Sequence, residues 1–236
     1  MEQREEAFSK LQRFAYDNGM SLFGAADFRR YDKQLYLSAS AVKGLHYAIS
    51  IGVRLSARVL EDIETEPTRL YSWHYRQANN QLDKVAFQLA NIIQSWGGQA
   101  LPVAASQTVD WKKQEGHLSH KHIGVLAGHG WIGRNNLLVN PLYGSAIRYA
   151  TILNDLPLPV GEPMEFKCGN CRECIKACPV GALGKTPESY NFDKCFQKLT
   201  FFCKQRNLGL YICGLCVKAC RGENKKIAQG SQSCDG

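Results

Sequence analysis

The stretch CGNCRECIKACPVGA, residues 168–182, decides how this chain is read. Cys168, Cys171, Cys174 and Cys178 follow one another at intervals of three, three and four, and Pro179 follows the last. A cube of four irons needs four soft thiolates converging on one small body, and the short loops of a C-x2-C-x2-C turn wrap three of its corners. In two-cluster ferredoxins the fourth cysteine of such a run, the one before proline, reaches the other cluster. The spacing therefore predicts that Cys168, Cys171 and Cys174 hold one 4Fe-4S cluster and that Cys178 serves a second. The stretch CGLCVKAC supplies the matching set, Cys213, Cys216 and Cys220, although Arg221 stands where the first run has its proline. By the same crossed logic Cys220 completes the first cluster. Cys178, Cys213 and Cys216 then lack one ligand, for which Cys195 and Cys203 are the candidates. Zinc sites are usually built from separated C-x2-C pairs, which this run is not.

All ten cysteines lie after residue 167. They read as one metal-binding unit rather than the disulfide framework of a short secreted domain. Cys234, in GSQSCDG, reads as a spare thiol in a tail. Charge divides along the same line: residues 1–166 carry 17 Lys/Arg against 16 Asp/Glu, and residues 167–236 carry 12 against 5. Each oxidised cluster with its four thiolates adds two negative charges, so two clusters bring the second segment to about +3. Much of the basic charge thus balances the clusters and argues only weakly for nucleic acid. MEQREEAFSK is too charged for a signal peptide, and no apolar run nears the ~20 residues of a membrane helix. A cytoplasmic protein with no membrane attachment is expected.

The upstream part reads as α+β, with helices on a mostly antiparallel sheet. Residues 4–18 form an amphipathic helix with Ala7, Phe8, Leu11, Phe14 and Ala15 on one face, stopped by Asn18 and Gly19. SLFGAADF, LHYAISIGVRL (45–55) and QALPVAA read as strands. A helix at about 78–96 carries the stripe Leu82, Val85, Ala86, Leu89, Ile92, Ile93 and Trp96, and Gly97-Gly98 ends it. HLSHKHIGVLAGHGWIGRNN (117–136) contains a short helix running into a glycine-rich bend. His117, His120 and His122 fit a polar helix start as well as a site. LLVN and SAIRYATIL then read as two strands paired through PLYG. A Pro/Gly linker, NDLPLPVGEP, places a domain boundary near 163, giving domains 1–163 and 164–222 and a tail, 223–236.

LAGHGWIGRNNLLVNPLYGSAIRYATILNDLPL followed by CGNCRECIKACPVGAL resembles the core of the epoxyqueuosine reductase family. That family carries A-G-x-G-W-x-G-K/R, a YGS or FGS turn, a strand ending in LPL, and then the cysteine run. The resemblance covers about residues 105–222 and is weaker upstream. It implies a nitroreductase-like, corrinoid-binding domain related to the core of reductive dehalogenases, followed by a small bacterial-ferredoxin-like domain with two 4Fe-4S clusters. It also implies a cobalamin-dependent reductase fed by a donor such as a ferredoxin or flavodoxin. The family pattern fills the open ligand position with Cys195, where CFQKLT resembles CISYLT, and leaves Cys203 as an extra thiol.

The bend residues Gly128, His129, Gly130, Trp131, Gly133, Arg134 and Asn135 are accordingly expected to bind the cofactor. The glycines bring backbone close, Trp131 covers a ring edge and Arg134 meets a tail phosphate. The family holds its corrinoid without a protein histidine, so His129 reads as a loop histidine rather than an axial ligand. Asp110, in TVDW, matches the family's proton-donating aspartate by context, with a few extra residues before the bend. Tyr143 and Tyr149 are the alternatives. Residues 223–236 do not read as the helical-repeat region with which the family grips tRNA. A small molecule or a partner's corrinoid is therefore as good a substrate expectation as tRNA. An electron-transfer protein with two clusters and no corrinoid of its own is the alternative function.

Overall fold

The computed structural model describes residues 2–222, and the tail reading, Cys234 included, lies outside them. The elements run α1 (Glu2–Asp17), β1 (Leu22–Asp27), α2 (Ala39–Val42), β2 (Tyr47–Arg54), α3 (Ala57–Glu61), α4 (Arg69–Ser95) and β3 (Ala100–Val103). They continue as α5 (His120–Leu126), β4 (Trp131–Ile132), β5 (Leu138–Val139), β6 (Ile147–Asn154), α6 (Glu173–Lys176), α7 (Phe192–Lys204) and α8 (Leu215–Ala219). This mixed α/β chain forms two compact units that are not consecutive blocks. The first takes residues up to 54 with 76–129 and 148–164, and the second takes 55–75, 130–147 and the chain from 165 onward. Among the described residues no helix is long and apolar enough to cross a membrane.

The first unit is a four-stranded sheet in the order β1-β2-β6-β3. β1 runs antiparallel to β2 with Leu22 opposite Gly52, and β3 runs antiparallel to β6 with Ala100 opposite Asn154. Pro102 has no amide hydrogen to offer a second neighbour, which suits β3 to its place at the edge. β6 is buried along nearly its whole length and takes an interior position. Leu11 and Ala15 of α1, with Leu82, Val85, Leu89 and Ile93 of α4, pack against Phe23, Ala25, Ile49, Ile51, Ala150 and Ile152. Ile123 of α5 and Ala127 just after it pack on the other face with Ala26, Ala48, Val103 and Leu153. Alternation along the strands puts Ser50 and Tyr149 on that second face. Gly24 is what lets the end of α5 come close, because a Cβ there would stand 2.8 Å from the Ala127 carbonyl oxygen and 2.9 Å from the His129 ring.

Two expectations about the elements need correction. α4 begins at Arg69 rather than near 78: Thr68 Oγ1 accepts the Tyr71 N–H at 3.1 Å and caps turns that carry none of the apolar stripe. It also stops at Ser95, leaving Trp96 out of the core at 44% exposure. The second correction concerns LLVN and SAIRYATIL, which do not pair. β5 pairs with β4, Trp131 opposite Val139 and Ile132 opposite Leu138, while β6 joins the large sheet. Asn140 explains the separation. Its Oδ1 accepts the N–H groups of Leu142 and Tyr143 at 3.0 and 3.2 Å, and its backbone pairs with Gly144. PLYG thus closes on itself instead of registering two strands.

The second unit gathers α3, α6, α7 and α8 with the β4–β5 ribbon. Leu60, Ile63, Tyr71, Phe202, Leu208, Ile212 and Leu215 are its buried apolar residues. Asn191 caps α7 by accepting the Lys194 N–H at 2.9 Å. Lys218 Nζ donates to the Glu61 and Ile63 carbonyls at 3.1 and 2.8 Å, and Arg221 pairs with Glu61 at 2.5 Å. These bonds tie α8 to the end of α3.

Leu89 lies in the first unit's core with no exposed surface. Leu89→Ala should cost about 2–5 kcal/mol, by lost transfer energy and the cavity left behind. A lowered urea midpoint with an unchanged slope is the expected reading.

Candidate functional site

The nine described cysteines all lie in the second unit as free thiols. Cys174 is buried, and burial together with Cys220, Cys168 and Cys171 pushes its thiol up to about 11. Cys220 is raised by burial and feels the same neighbours, Cys168 and Cys171. The other thiols form a second neighbourhood. Burial, with Cys195 and Cys178 beside it, pushes Cys213 up to about 11. Cys216 is raised by burial, Cys213, Cys195, Cys174 and Cys178. The structure thus brings together Cys168, Cys171, Cys174 and Cys220 on one side, and Cys178, Cys195, Cys213 and Cys216 on the other. Cys174 and Cys216 are the point where the two sets meet. Cys203, two turns beyond Cys195 on α7, is not among the groups that move these thiols.

Cys174, Cys195, Cys213, Cys216 and Cys220 all resist ionisation, through partial or full burial and through neighbouring thiols, and a cationic body would offset both. Among the described residues no three His, Cys, Asp or Glu side chains converge in the shell of a single metal ion. A tetrahedral ion at about 2.3 Å from each sulfur would need such a shell, whereas a four-iron cube spreads its ligands over a larger body.

The segment 130–145 turns its polar groups toward the first thiol set. Trp131 is buried, and its indole N–H donates to Cys168 Sγ at 3.4 Å. Arg134 donates through Nε to the Lys185 carbonyl at 2.7 Å, through one terminal nitrogen to Cys171 O at 2.9 Å and through the other to Gly169 O at 2.7 Å. Its guanidinium also lies over the Phe166 ring, 5.2 Å from the centroid. Asn135 Nδ2 donates to Ser145 Oγ at 2.9 Å, and the Ser145 N–H donates to the Cys220 carbonyl at 3.1 Å, which sets the serine beside that cysteine. Gly130 backs onto the Val139 carbonyl, and Gly133 lies against the Val139 side chain. Trp131, Arg134 and Asn135 therefore make contacts other than those expected of a ring edge and a tail phosphate. Ser145 and Asn135 were legible only as part of a turn and a bend, because their partners lie far off in sequence.

The remaining candidates lie in the first unit. Gly128 has a φ of 77° and its Cα faces the Glu162 backbone. His129 is buried: Nε2 donates to the Ser50 carbonyl at 3.2 Å, and the ring stacks on Tyr149 at 5.9 Å. Burial pushes its pKa down to about 4. Beside it, the Tyr149 hydroxyl and Ser50 Oγ are buried without a hydrogen-bond partner among the described residues, and burial raises the Tyr149 phenol above its usual range. Ser50 had one signal in the sequence, a hydroxyl in an otherwise apolar strand. His120 starts α5 and is also neutral, its Nε2 donating to Ala104 O at 3.0 Å and its Nδ1 facing Thr151 Oγ1 at 2.8 Å.

Asp110 sits in a turn bridged to Glu115. Its Oδ1 accepts the N–H groups of Lys112 and Lys113 at 2.9 and 3.0 Å, and the Tyr36 hydroxyl stands 3.2 Å from Oδ2 and 2.8 Å from Glu115 Oε2. The Lys113 and Lys112 amides, with Tyr36, hold its carboxyl below the usual range. At neutral pH that group is a carboxylate with no proton to give.

A histidine held neutral in the fold titrates near 6.5 once unfolded, so between pH 6.5 and 4 the unfolded chain binds more protons. Stability should therefore fall as pH drops through this window, by roughly 3 kcal/mol for His129 alone. His129→Gln keeps a donor toward Ser50 without the titration. Its denaturant midpoint should decline less steeply over that window than the parent's, and parallel declines would refute the assignment.

No family model matches the chain. An epoxyqueuosine reductase of Bacillus anthracis is 38% identical over 68 residues, which is 29% of this chain and 18% of that protein. The structure of an epoxyqueuosine reductase with an epoxyqueuosine-modified tRNA-Tyr stem loop superposes with a TM-score of 0.60 at 21% identity, covering 81% of this chain and 56% of that one. A catabolic reductive dehalogenase in complex with 3-bromo-4-hydroxybenzoic acid gives 0.70 at 20% identity, over 89% of this chain and 31% of that one. The matched part is well under two-thirds of each relative's own length, and the structural likenesses, at such low identity, are likenesses of fold. The chain is thus similar in sequence to epoxyqueuosine reductases over 29% of its length and shares, over more than 80% of it, the fold of a solved epoxyqueuosine reductase.

Proposed function

We propose that the chain is an iron–sulfur oxidoreductase with two 4Fe-4S clusters. Cys168, Cys171, Cys174 and Cys220 hold one, and Cys178, Cys195, Cys213 and Cys216 hold the other, in a ferredoxin-like arrangement. The observation that carries this reading is the sorting of eight thiols into two neighbourhoods that interleave along the chain, with Cys178 and Cys220 exchanged. Cys174 and Cys216 stand on the neighbouring helices α6 and α8, so an electron would have a short path from one centre to the next. A ferredoxin or flavodoxin is the expected donor.

The fold shared with epoxyqueuosine reductase and reductive dehalogenase supports a nitroreductase-like first unit that receives these electrons through cobalamin. When bound, that cofactor supplies a strongly reducing cobalt centre. The side chains of Trp131, Arg134 and Asn135 do not fit the corrinoid contacts expected of them, so the backbone of the bend and other groups would have to hold it. For the proton that a reduction consumes, Tyr149 fits better than Asp110. It keeps its proton at neutral pH and has a hydroxyl with no other partner, whereas Asp110 is ionised and engaged. Tyr143 is the further alternative. The substrate is a tRNA, as the tRNA-bound relative suggests, or a smaller organic molecule.

A second reading, an electron-transfer protein that reduces a partner or its corrinoid, is favoured by the same commitment of Trp131, Arg134 and Asn135 to the cysteine segment. Anaerobic purification followed by added cobalamin separates the two. A changed corrinoid spectrum that travels with the protein on gel filtration is expected, and no binding at full iron content would establish the second reading instead.

Iron analysis tests the ligand sets. The parent chain should hold about eight irons. Cys195→Ser should lose about half of them and Cys203→Ser none. Equal losses from the two variants would overturn the assignment of Cys195.

A further inference from the structure

We infer that the segment 130–145 sets the reduction potential of the Cys168/Cys171/Cys174/Cys220 centre, with Trp131 and Ser145 as the positioning residues through which it acts. The inference rests on the reading of those thiols as cluster ligands. It adds a role for residues outside the cysteine runs.

Reducing a cluster by one electron makes its sulfurs more negative, so a hydrogen-bond donor aimed at a ligand sulfur stabilises the reduced form more than the oxidised one. Two side chains here are so aimed. An indole N–H can only donate, and buried it must find an acceptor or carry a desolvation cost. Trp131 is 8% exposed, and its N–H finds Cys168 Sγ at 3.4 Å. Pairing of Trp131 with Val139 in the β4–β5 ribbon fixes where that ring begins.

The second donor is set by an amide. Asn135 Oδ1 accepts the Leu137 N–H at 3.3 Å, which turns its Nδ2 toward Ser145 Oγ at 2.9 Å. Ser145 has one hydroxyl proton, and with its oxygen accepting from Asn135 and its N–H on the Cys220 carbonyl at 3.1 Å, that proton is placed to serve the Cys220 sulfur. Both Asn135 and Ser145 are 3% exposed, so water does not compete. Glycines and an arginine hold the geometry. Gly144, at a φ of 61°, lets the turn press against the Cys220 carbonyl, which accepts the Ser145 N–H at 3.1 Å. A Cβ on Gly133 would sit 3.5 Å from Cys168 Sγ, and Arg134 grips the carbonyls on both sides of Asn170.

The other thiol set has its own surroundings: the Ala182 N–H reaches Cys178 Sγ at 3.2 Å, and the Tyr190 side chain lies beside Cys195. Substitutions in 130–145 should therefore move one centre and leave the other.

The test is a dithionite titration of the full-length, anaerobically reconstituted protein, followed by electron paramagnetic resonance. Trp131→Phe keeps an aromatic side chain while removing the donor and some ring volume, and Ser145→Ala removes the hydroxyl with little change of shape. Each should make one centre about tenfold harder to reduce, about 59 mV lower for one electron, with the second centre unmoved. Tyr190→Phe should do the reverse. If Trp131→Phe loses iron, Ser145→Ala decides. Unchanged potentials at full iron content overturn the inference while leaving the cluster reading intact. A parent protein without about eight irons would instead defeat the cluster reading itself.

Discussion

Cys220 comes back beside Cys168, Cys171 and Cys174 from the far end of the described chain, and much of the second unit serves that return. Thiols gathered in one small volume repel one another as they ionise, so hydrophobic packing alone does not keep them together. Something must fix the backbone on both sides of the gap. The return of α8 is secured at Glu61, where Lys218 and Arg221 converge, and at Gly144, which accepts the Cys220 carbonyl where a side chain would not fit. The first run is secured by Arg134. Neither anchor lies within the cysteine segment, which explains why the second unit recruits 55–75 and 130–147 from upstream.

This changes what the glycine-rich bend is for. A sequence such as GHGWIGRNN suggests a cradle for a large flat ligand, because glycines free backbone amides and Arg and Trp are typical ligand contacts. In the folded chain the arginine, tryptophan and asparagine serve the neighbouring thiols instead. The bend therefore has two sides with different tasks: Gly128 and His129 belong to the first unit, and Gly130 onward to the second. His129 illustrates the split. Two residues before Trp131, it is a neutral, buried ring stacked on Tyr149, part of a polar patch on the α5 face of the sheet.

What was legible in the sequence was chiefly what is local. Cysteine spacing is a property of short loops, so the runs Cys168 to Cys178 and Cys213 to Cys220 stood out without any fold in hand. The strands rich in β-branched residues and the stripe from Leu82 to Ile93 were equally plain, because periodicity is a property of consecutive residues. The misreadings came from choices that depend on distant partners. LLVN has the pattern of a strand, but whether it pairs with Trp131 or with β6 depends on how Asn140 closes its turn. The first turns of α4 carry polar and aromatic residues whose partners, such as Leu208 for Ser72, lie more than a hundred positions away. Arg134 could be recognised as important but not as important for carbonyls.

That last point bears on how the protein varies. Arg134 grips the main-chain oxygens of positions 169, 171 and 185, which every amino acid possesses. What it holds is a path of the chain rather than a set of side chains. The residues along that path, Asn170, Arg172 and Lys185 among them, can drift in the course of evolution without loosening the loop. The arginine cannot, since a lysine has one nitrogen where three directions are needed. The path of this loop thus depends, apart from its cysteines, on a single side chain outside it.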